Sequence, residues 1–276
     1  MKTYGRPTLR KEIEKSEENS MKVSIISAVL ESHEIVRRHI LHYNKMNLLD
    51  DVEVIFIDDG SDTPLSETTD KIDKNFNFTL LETHNKKKWT QPAARNMGAK
   101  HAKGEFCIFT DIDHIITNDL IEHARNPEAD VVRFIRCAAV IDEDGNFTQD
   151  HDTLRSWGLK DKYIKRPTCK ISPHGNSYLM RTGLYIGLGG VDERFVGTGR
   201  YPNREEALLK RQLRRLEYDG RIRIIDKKGR PVIYMFPNGN FCGGKDYNPF
   251  GFFHKTSRYS NKEKRRMRRA KGEIII

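Results

Sequence analysis

The strongest constraint on this chain is an alternation near its start, where short runs of β-branched and aromatic residues are separated by helical patterns. Val23-Ser24-Ile25-Ile26-Ser27-Ala28-Val29 and Val52-Glu53-Val54-Ile55-Phe56-Ile57 are short and apolar, and read as buried parallel strands. Between them, Glu34 to Met46 places Ile35, Val36, Ile40, Tyr43 and Met46 toward one side of a helix. Phe78 to Glu82 predicts a third strand, Gln91 to His101 a helix of small residues, and Glu105 to Thr110 a fourth strand. Strand, helix and strand joined by short links begin an open parallel sheet, so the expected class is α/β.

Beyond residue 130 the pattern is less regular. Val131 to Val140 predicts one further strand, followed by a turn at Asp142-Glu143-Asp144-Gly145. Residues 145–175 read as loops, Asn176 to Met180 as a strand, and Glu205 to Tyr218 as a helix buried through Leu209, Leu213 and Leu216. Arg221 to Ile225 and Val232 to Phe236 predict a hairpin turning near Lys228-Gly229.

Composition sets the remaining bounds. A chain of 276 residues, 37% hydrophobic, can bury a sizeable core. No stretch approaches the roughly 18 apolar residues of a membrane span, and Met1 to Ser20 lacks the apolar centre of a signal peptide. Cys107, Cys137, Cys169 and Cys242 are widely spaced, which indicates neither a disulfide framework nor a zinc knuckle, and a reduced cytoplasmic location is expected. The net charge of +10 is uneven: residues 1–199 sum to −3 and residues 200–276 to +13. The basic part is either a solvated surface or one that meets a polyanion.

Two acidic clusters close predicted strands, Asp58-Asp59-Gly60-Ser61 and Asp111-Ile112-Asp113. Asp and Gly after a strand favour tight turns, so either cluster alone is explained by turn chemistry. Ligands of open α/β sheets collect beyond the carboxyl ends of strands, and two clusters placed there point to a hard-cation site of the Mg²⁺ or Mn²⁺ type.

The order Val23-Ser24-Ile25-Ile26, Asp58-Asp59-Gly60-Ser61, Pro92-Ala93-Ala94-Arg95-Asn96-Met97-Gly98-Ala99, then Gly104-Glu105 leading to Asp111-Ile112-Asp113, resembles the family 2 glycosyltransferases of the GT-A fold. Gly189-Gly190-Val191-Asp192-Glu193-Arg194-Phe195 resembles the loop before that family's catalytic acid. The resemblance implies an open mixed sheet flanked by helices and a metal-dependent, inverting transfer of a hexose or pentose from a UDP-sugar. Together with the polar start and the basic end of the chain, it divides the sequence into a polar extension (1–20), a catalytic domain (21–254, with a nucleotide-sugar half 21–125 and an acceptor half 126–254) and a basic tail (255–276). It makes Asp59 the partner of the uracil, Arg95 a phosphate contact, Asp111 a contact of the ribose or sugar, and Asp113 the metal ligand of an Asp-X-Asp motif. His254 would complete the metal site, the alternative being a histidine on an aromatic-rich surface. His114 is a minor candidate, since neighbouring side chains diverge. Asn96 and Gly98 serve helix packing. Glu205-Glu206 would hold the base, with Glu206 in the family's usual place, although acids in a first helical turn are also favoured by the dipole.

The chain departs from the family in two places. The gap between Gly197-Thr198-Gly199 and the Glu pair is long, and Ala28-Val29-Leu30-Glu31 replaces the family's Pro-Thr-Tyr-Asn, which removes an aromatic partner for the base. Arg211, Arg215, Lys264, Arg265 and Arg266, with aromatic residues interleaved near the tail, suit a nucleic-acid surface. The compact domain also resembles bacteriophage glycosyltransferases, so a DNA-modifying role on a hydroxymethylcytosine-type base is the favoured expectation. A polysaccharide or lipopolysaccharide acceptor is the alternative, and a non-catalytic DNA-binding protein on the same scaffold is the reading from another class. A sugar nucleotidyltransferase would need a Gly-rich loop where Leu30-Glu31-Ser32-His33 stands.

Overall fold

The computed structural model describes residues 21–87, 90–164, 173, 175, 177–196 and 205–237. Its first half follows the predicted alternation: β1 (Val23–Val29), α1 (His33–Met46), β2 (Val52–Asp58), α2 (Ser66–Thr69), β3 (Asn77–Glu82), α3 (Gln91–His101) and β4 (Phe106–Asp111). Then come β5 (His114–Ile115), α4 (Asn118–Arg125), β6 (Val131–Phe134), β7 (Arg136–Ala138), β8 (Val140–Ile141) and β9 (Phe147–Thr148). The remaining elements are α5 (His151–Ser156), α6 (Asp161–Ile164), β10 (Tyr178–Arg181), α7 (Thr182–Gly187), α8 (Glu205–Tyr218), β11 (Ile224–Lys227) and β12 (Ile233–Met235).

The main sheet has seven strands in the order β11-β6-β10-β4-β1-β2-β3. β1 to β4 are mutually parallel, β10 is antiparallel to both β4 and β6, and β11 is parallel to β6, so the sheet is open and mixed. The chain moves outward from β1 to β3 and returns to β4 on the other side of β1. That reversal opens a crevice at the carboxyl ends of β1 and β4, the place where such sheets bind ligands. Register puts Asp58 beside Val29 and Asp111 beside Ala28, which brings both acidic clusters to this crevice.

Helices cover both faces. Val36, Ile40 and Tyr43 of α1 pack with Leu120 and Ile121 of α4 against Ile25, Val54 and Ile108. On the other face Ala94, Leu184, Leu209 and Leu213 meet Ile26, Ile57 and Phe109. Ile25, Ile26, Ile55 and Ile57 are essentially without solvent contact, and each buried side chain contributes roughly 1.5–3 kcal/mol. Gly98 lets α3 lie close to the sheet, because a Cβ there would stand 2.7 Å from both Ile26 and Ile57. The buried carboxylate of Glu53 within β2 is satisfied by Ser24 Oγ at 2.6 Å and by the Lys103 amide at 2.6 Å.

Three expectations are corrected. The single strand over Val131 to Val140 is three, β6, β7 and β8, each in a different sheet. Phe134 to Val140 is nearly all apolar, and a continuous apolar run does not show where a chain leaves one sheet for another. The hairpin of β11 and β12 does not form: β11 pairs with β6, whereas β12 joins β5 and β7 in a small second sheet. Distant partners outcompete the local turn there. The segment 145–175 contains β9, α5 and α6, with Leu154, Leu159 and Ile164 buried beneath the small sheet. Cys107 and Cys137 are free and buried, and burial pushes the Cys107 thiol up to about 12. Among the described residues no helix is long and apolar enough to cross a membrane.

Candidate active site

The crevice is built around the end of β4. Asp111 is its last residue, a turn carries Asp113, and His114 begins β5. The turn is held from three directions: His39 Nε2–H donates to the Ile112 carbonyl at 2.8 Å, His42 Nε2–H to the Ile116 carbonyl at 3.0 Å, and the Phe236 amide to the Asp113 carbonyl at 2.9 Å. One potential ligand atom from each of Asp111, Asp113 and His114 lies within 4.8 Å of the others. His114 is buried, shares a 3.0 Å hydrogen bond with Ser177 Oγ, and sits 3.6 Å from Asp113 Oδ1. Two carboxylates and an imidazole are a donor set that fits Mn²⁺ well and Mg²⁺ through its oxygens. The half-buried guanidinium of Arg136 belongs to the same environment; burial lowers its pKa while Asp113 and then Asp111 oppose that shift.

A second group of charges adjoins the first. Arg95, in the early part of α3, is only 3% exposed. Its Nη2 donates to Asp111 Oδ1 at 2.7 Å, and its Nη1 lies 3.6 Å from Glu206 Oε1. Burial alone would depress the Arg95 guanidinium, yet Asp111, followed by Tyr178 and Glu206, holds its pKa above the ordinary value. Gln91, one turn earlier on α3, donates to the same Asp111 oxygen at 2.9 Å. Glu206, in the first turn of α8, is 3% exposed and pairs with Lys210 one turn along. Thus α3 and α8 link a carboxylate of the cation cluster to a second buried carboxylate through one arginine.

The other side of the crevice is formed by the loop after β2. Asp58 is consumed by turn geometry, accepting from the amides of Ser61 at 2.7 Å and Leu65 at 2.9 Å. Asp59 is buried, and its amide donates to the Val29 carbonyl at 2.7 Å, tying the ends of β1 and β2 together. Two strand spacings, about 10 Å, separate this position from Asp111. Gly60 is required for close approach: its φ is +76°, and a Cβ would stand 2.5 Å from the Asn85 carbonyl. Glu31 folds back in a left-handed conformation, donates through its amide to Ser61 Oγ at 2.9 Å, and accepts from the Asp62 amide.

Asn96 moors the glycine loop. Its side chain accepts from Tyr185 Oη at 2.7 Å and the Val191 amide at 3.1 Å, and donates to the Val191 carbonyl at 2.9 Å and Glu193 Oε1 at 2.8 Å. Gly190 is needed at this contact, since a Cβ would fall 2.2 Å from Asn96 Oδ1.

The structure therefore brings Asp111, Asp113, Arg95 and Glu206 into one region, with Asp59 across the crevice. Glu205 opens α8, while Arg211 and Arg215 project from its exposed surface. His254, Lys264, Arg265 and Arg266 lie outside the described residues, as does the Gly197-Thr198-Gly199 stretch. Sequence reasoning gave no role to Gln91 or His39. Gln91 was detectable in principle, because it precedes Arg95 by four residues and shares its helix face. His39 lacked such a signal, since its partner is 73 residues away. His114, a minor candidate because neighbouring side chains diverge, instead brings its Nδ1 to 3.6 Å from Asp113 Oδ1.

An uncharacterized glycosyltransferase of Rickettsia felis is 32% identical over 115 residues, covering 41% of this chain and 16% of that protein. A putative glycosyltransferase of Bacillus subtilis, EpsH, is 28% identical over 149 residues, 52% of this chain and 42% of its own length. This chain therefore spans less than half the length of these curated relatives. The crystal structure of Staphylococcus aureus TarS residues 1–349 in complex with UDP shares the fold with a TM-score of 0.51 at 18% identity, covering 79% of this chain and 61% of that one. The model of the "Glycosyltransferase like family 2" matches residues 24–211, and with a match over most of its length the chain belongs to that family.

Proposed function

We propose that this protein transfers a sugar from a UDP-sugar to an acceptor hydroxyl with inversion at the anomeric carbon. The observation that carries the reading is the meeting of the Asp111-Asp113-His114 cluster with the buried Arg95–Glu206 pair at the carboxyl end of β4. Asp111, Asp113 and His114 would hold the divalent cation, which when bound supplies Lewis-acid neutralisation of the departing diphosphate. Glu206 accepts the proton of the acceptor hydroxyl as that oxygen bonds to the anomeric carbon and the bond to the diphosphate breaks. Arg95 bridges Asp111 and Glu206 and so positions the base relative to the donor side. Asp59 faces the uracil, whose imide N–H a carboxylate can accept. The UDP bound by TarS supports the choice of nucleotide. In this reading His114 supplies the imidazole, a role the sequence had suggested for His254.

For the acceptor, a cell-surface polysaccharide or lipopolysaccharide is favoured over a hydroxymethylcytosine-type base in DNA. The named relatives are bacterial proteins. The intact carboxylate clusters disfavour a non-catalytic scaffold. The test is Mn²⁺-dependent release of UDP from a UDP-sugar panel. Asp113→Ala should abolish release, His114→Ala should weaken metal activation, and Glu206→Gln should lower transfer by about 10²-fold or more. Full turnover by Asp113→Ala and Glu206→Gln would overturn the site.

A further inference from the structure

We propose that the groove between α8 and the β6-β10-β11 edge of the main sheet is a saccharide subsite that delivers an acceptor hydroxyl to Glu206; this rests on the glycosyltransferase reading above. The groove encloses about 420 Å³, within the ordinary range for small-molecule sites. One wall is a single stripe of α8, beginning at Glu206 and ending at Glu217. The other is the sheet row in which Tyr178 of β10, Arg133 of β6 and Asp226 of β11 stand side by side.

Its chemistry suits a hydroxylated ring. Val131, Leu209, Leu213 and Ile224 give it an apolar floor, which matches the C–H face of a pyranose. Around that floor Arg133 pairs with Asp226 at 2.6 Å, and Lys210 pairs with Glu206. Three cations, Arg133, Lys210 and Arg214, balance three carboxylates, Glu206, Glu217 and Asp226. Such a lining offers donors and acceptors to hydroxyl groups, and with cations and carboxylates in equal number it lacks the net positive charge that would attract a phosphodiester. Gly175 lets the backbone lie close against the base, because a Cβ there would stand 2.9 Å from both Glu206 Oε2 and Lys210 Nζ.

The inner end of the groove specifies what it holds. Tyr178 is 7% exposed and Glu206 3%, and both line the cavity. Tyr178 Oη and Glu206 Oε1 are each buried without a hydrogen-bond partner among the described residues. Burial, followed by Tyr185 and Glu206, pushes the Tyr178 phenol well above its ordinary value, so it remains a donor. A carboxylate only accepts, and an alcohol both donates and accepts, so one acceptor hydroxyl satisfies both groups. A phosphate oxygen could satisfy the phenol alone.

The experiment uses the full chain with Mn²⁺ and measures two quantities separately. Calorimetry reports UDP-sugar binding, and mass spectrometry reports transfer to a panel of neutral oligosaccharides and to hydroxymethylcytosine-containing DNA. Arg214→Trp, an exposed position that would fill the groove, and Tyr178→Phe should each raise the acceptor KM about tenfold, the equivalent of one lost buried hydrogen bond or contact. Thermal melting of both variants confirms that they fold. Failure of UDP-sugar to bind overturns the transferase reading and the groove with it. Binding of UDP-sugar with an unchanged saccharide KM in both variants overturns the groove alone. Sugar transfer to DNA but to no oligosaccharide also overturns it.

Discussion

Between the two carboxylates of the cation cluster lies Ile112, whose carbonyl is held by His39 from a helix in another layer. His39 is buried, stacked on Tyr43 and edge-on to Phe236, and burial, followed by the neighbouring His42, lowers its pKa from 6.5 to about 3. A histidine kept neutral in the fold but able to protonate when unfolded makes stability rise with pH. The contribution is complete above about pH 6.5 and is lost progressively as pH falls toward 3. At pH 5 the loss would be about 2 kcal/mol. His39→Gln retains an N–H for the Ile112 carbonyl without titrating. Its denaturation midpoint should therefore change less between pH 7 and pH 5 than that of the native chain, and equal slopes would refute this assignment. Asp58 and Asp59 show the same dependence on context: of these adjacent, identical residues, Asp58 holds a turn through its carboxylate and Asp59 ties β1 to β2 through its amide.

At the scale of elements, α3 is the organiser. Its Gln91 and Arg95 reach Asp111, Arg95 approaches Glu206 on α8, and Asn96 holds the loop that follows α7. Asn96→Ala would sever that loop and leave the buried Tyr185 hydroxyl without its acceptor. The expected cost is about 2 kcal/mol in denaturation, with faster hydrogen exchange at the Val191 amide. Unchanged exchange would show that the loop is held by other means. The span of α3 was legible because small residues, Pro92 in its first turn and the following Gly104 bound it clearly. The splitting of the Val131 to Val140 run was not, because strand partners lie far away in sequence.

Over the whole molecule, the charge division at residue 200 separates a near-neutral part carrying Asp59, Arg95, Asp111 and Asp113 from a strongly basic part. The basic excess does not reach the groove lining, where acids and bases balance. If the acceptor is a saccharide, Arg211→Gln combined with Arg215→Gln should change the acceptor KM by less than about threefold, because exposed charges contribute little. Raising salt from about 50 to 200 mM should likewise have a weak effect, whereas a nucleic-acid acceptor held by many phosphate contacts would lose about 10³-fold or more. Steady-state kinetics at the two salt concentrations distinguish these outcomes.

The sequence by itself determined the alternation of strands and helices up to β4, the acidic residues at the ends of β2 and β4, and the acid-led helix beginning at Glu205. These are properties of local periodicity and of residue type, and neighbouring residues suffice to set them. Tertiary structure committed the Asp58 carboxylate to the turn after β2 and joined His114 to the Asp111–Asp113 cluster. It also placed His39 beneath the cluster and formed the groove from an α8 stripe and a row across three neighbouring strands. Each of those outcomes depends on contacts between residues distant in the chain, for which one-dimensional spacing carries no signal.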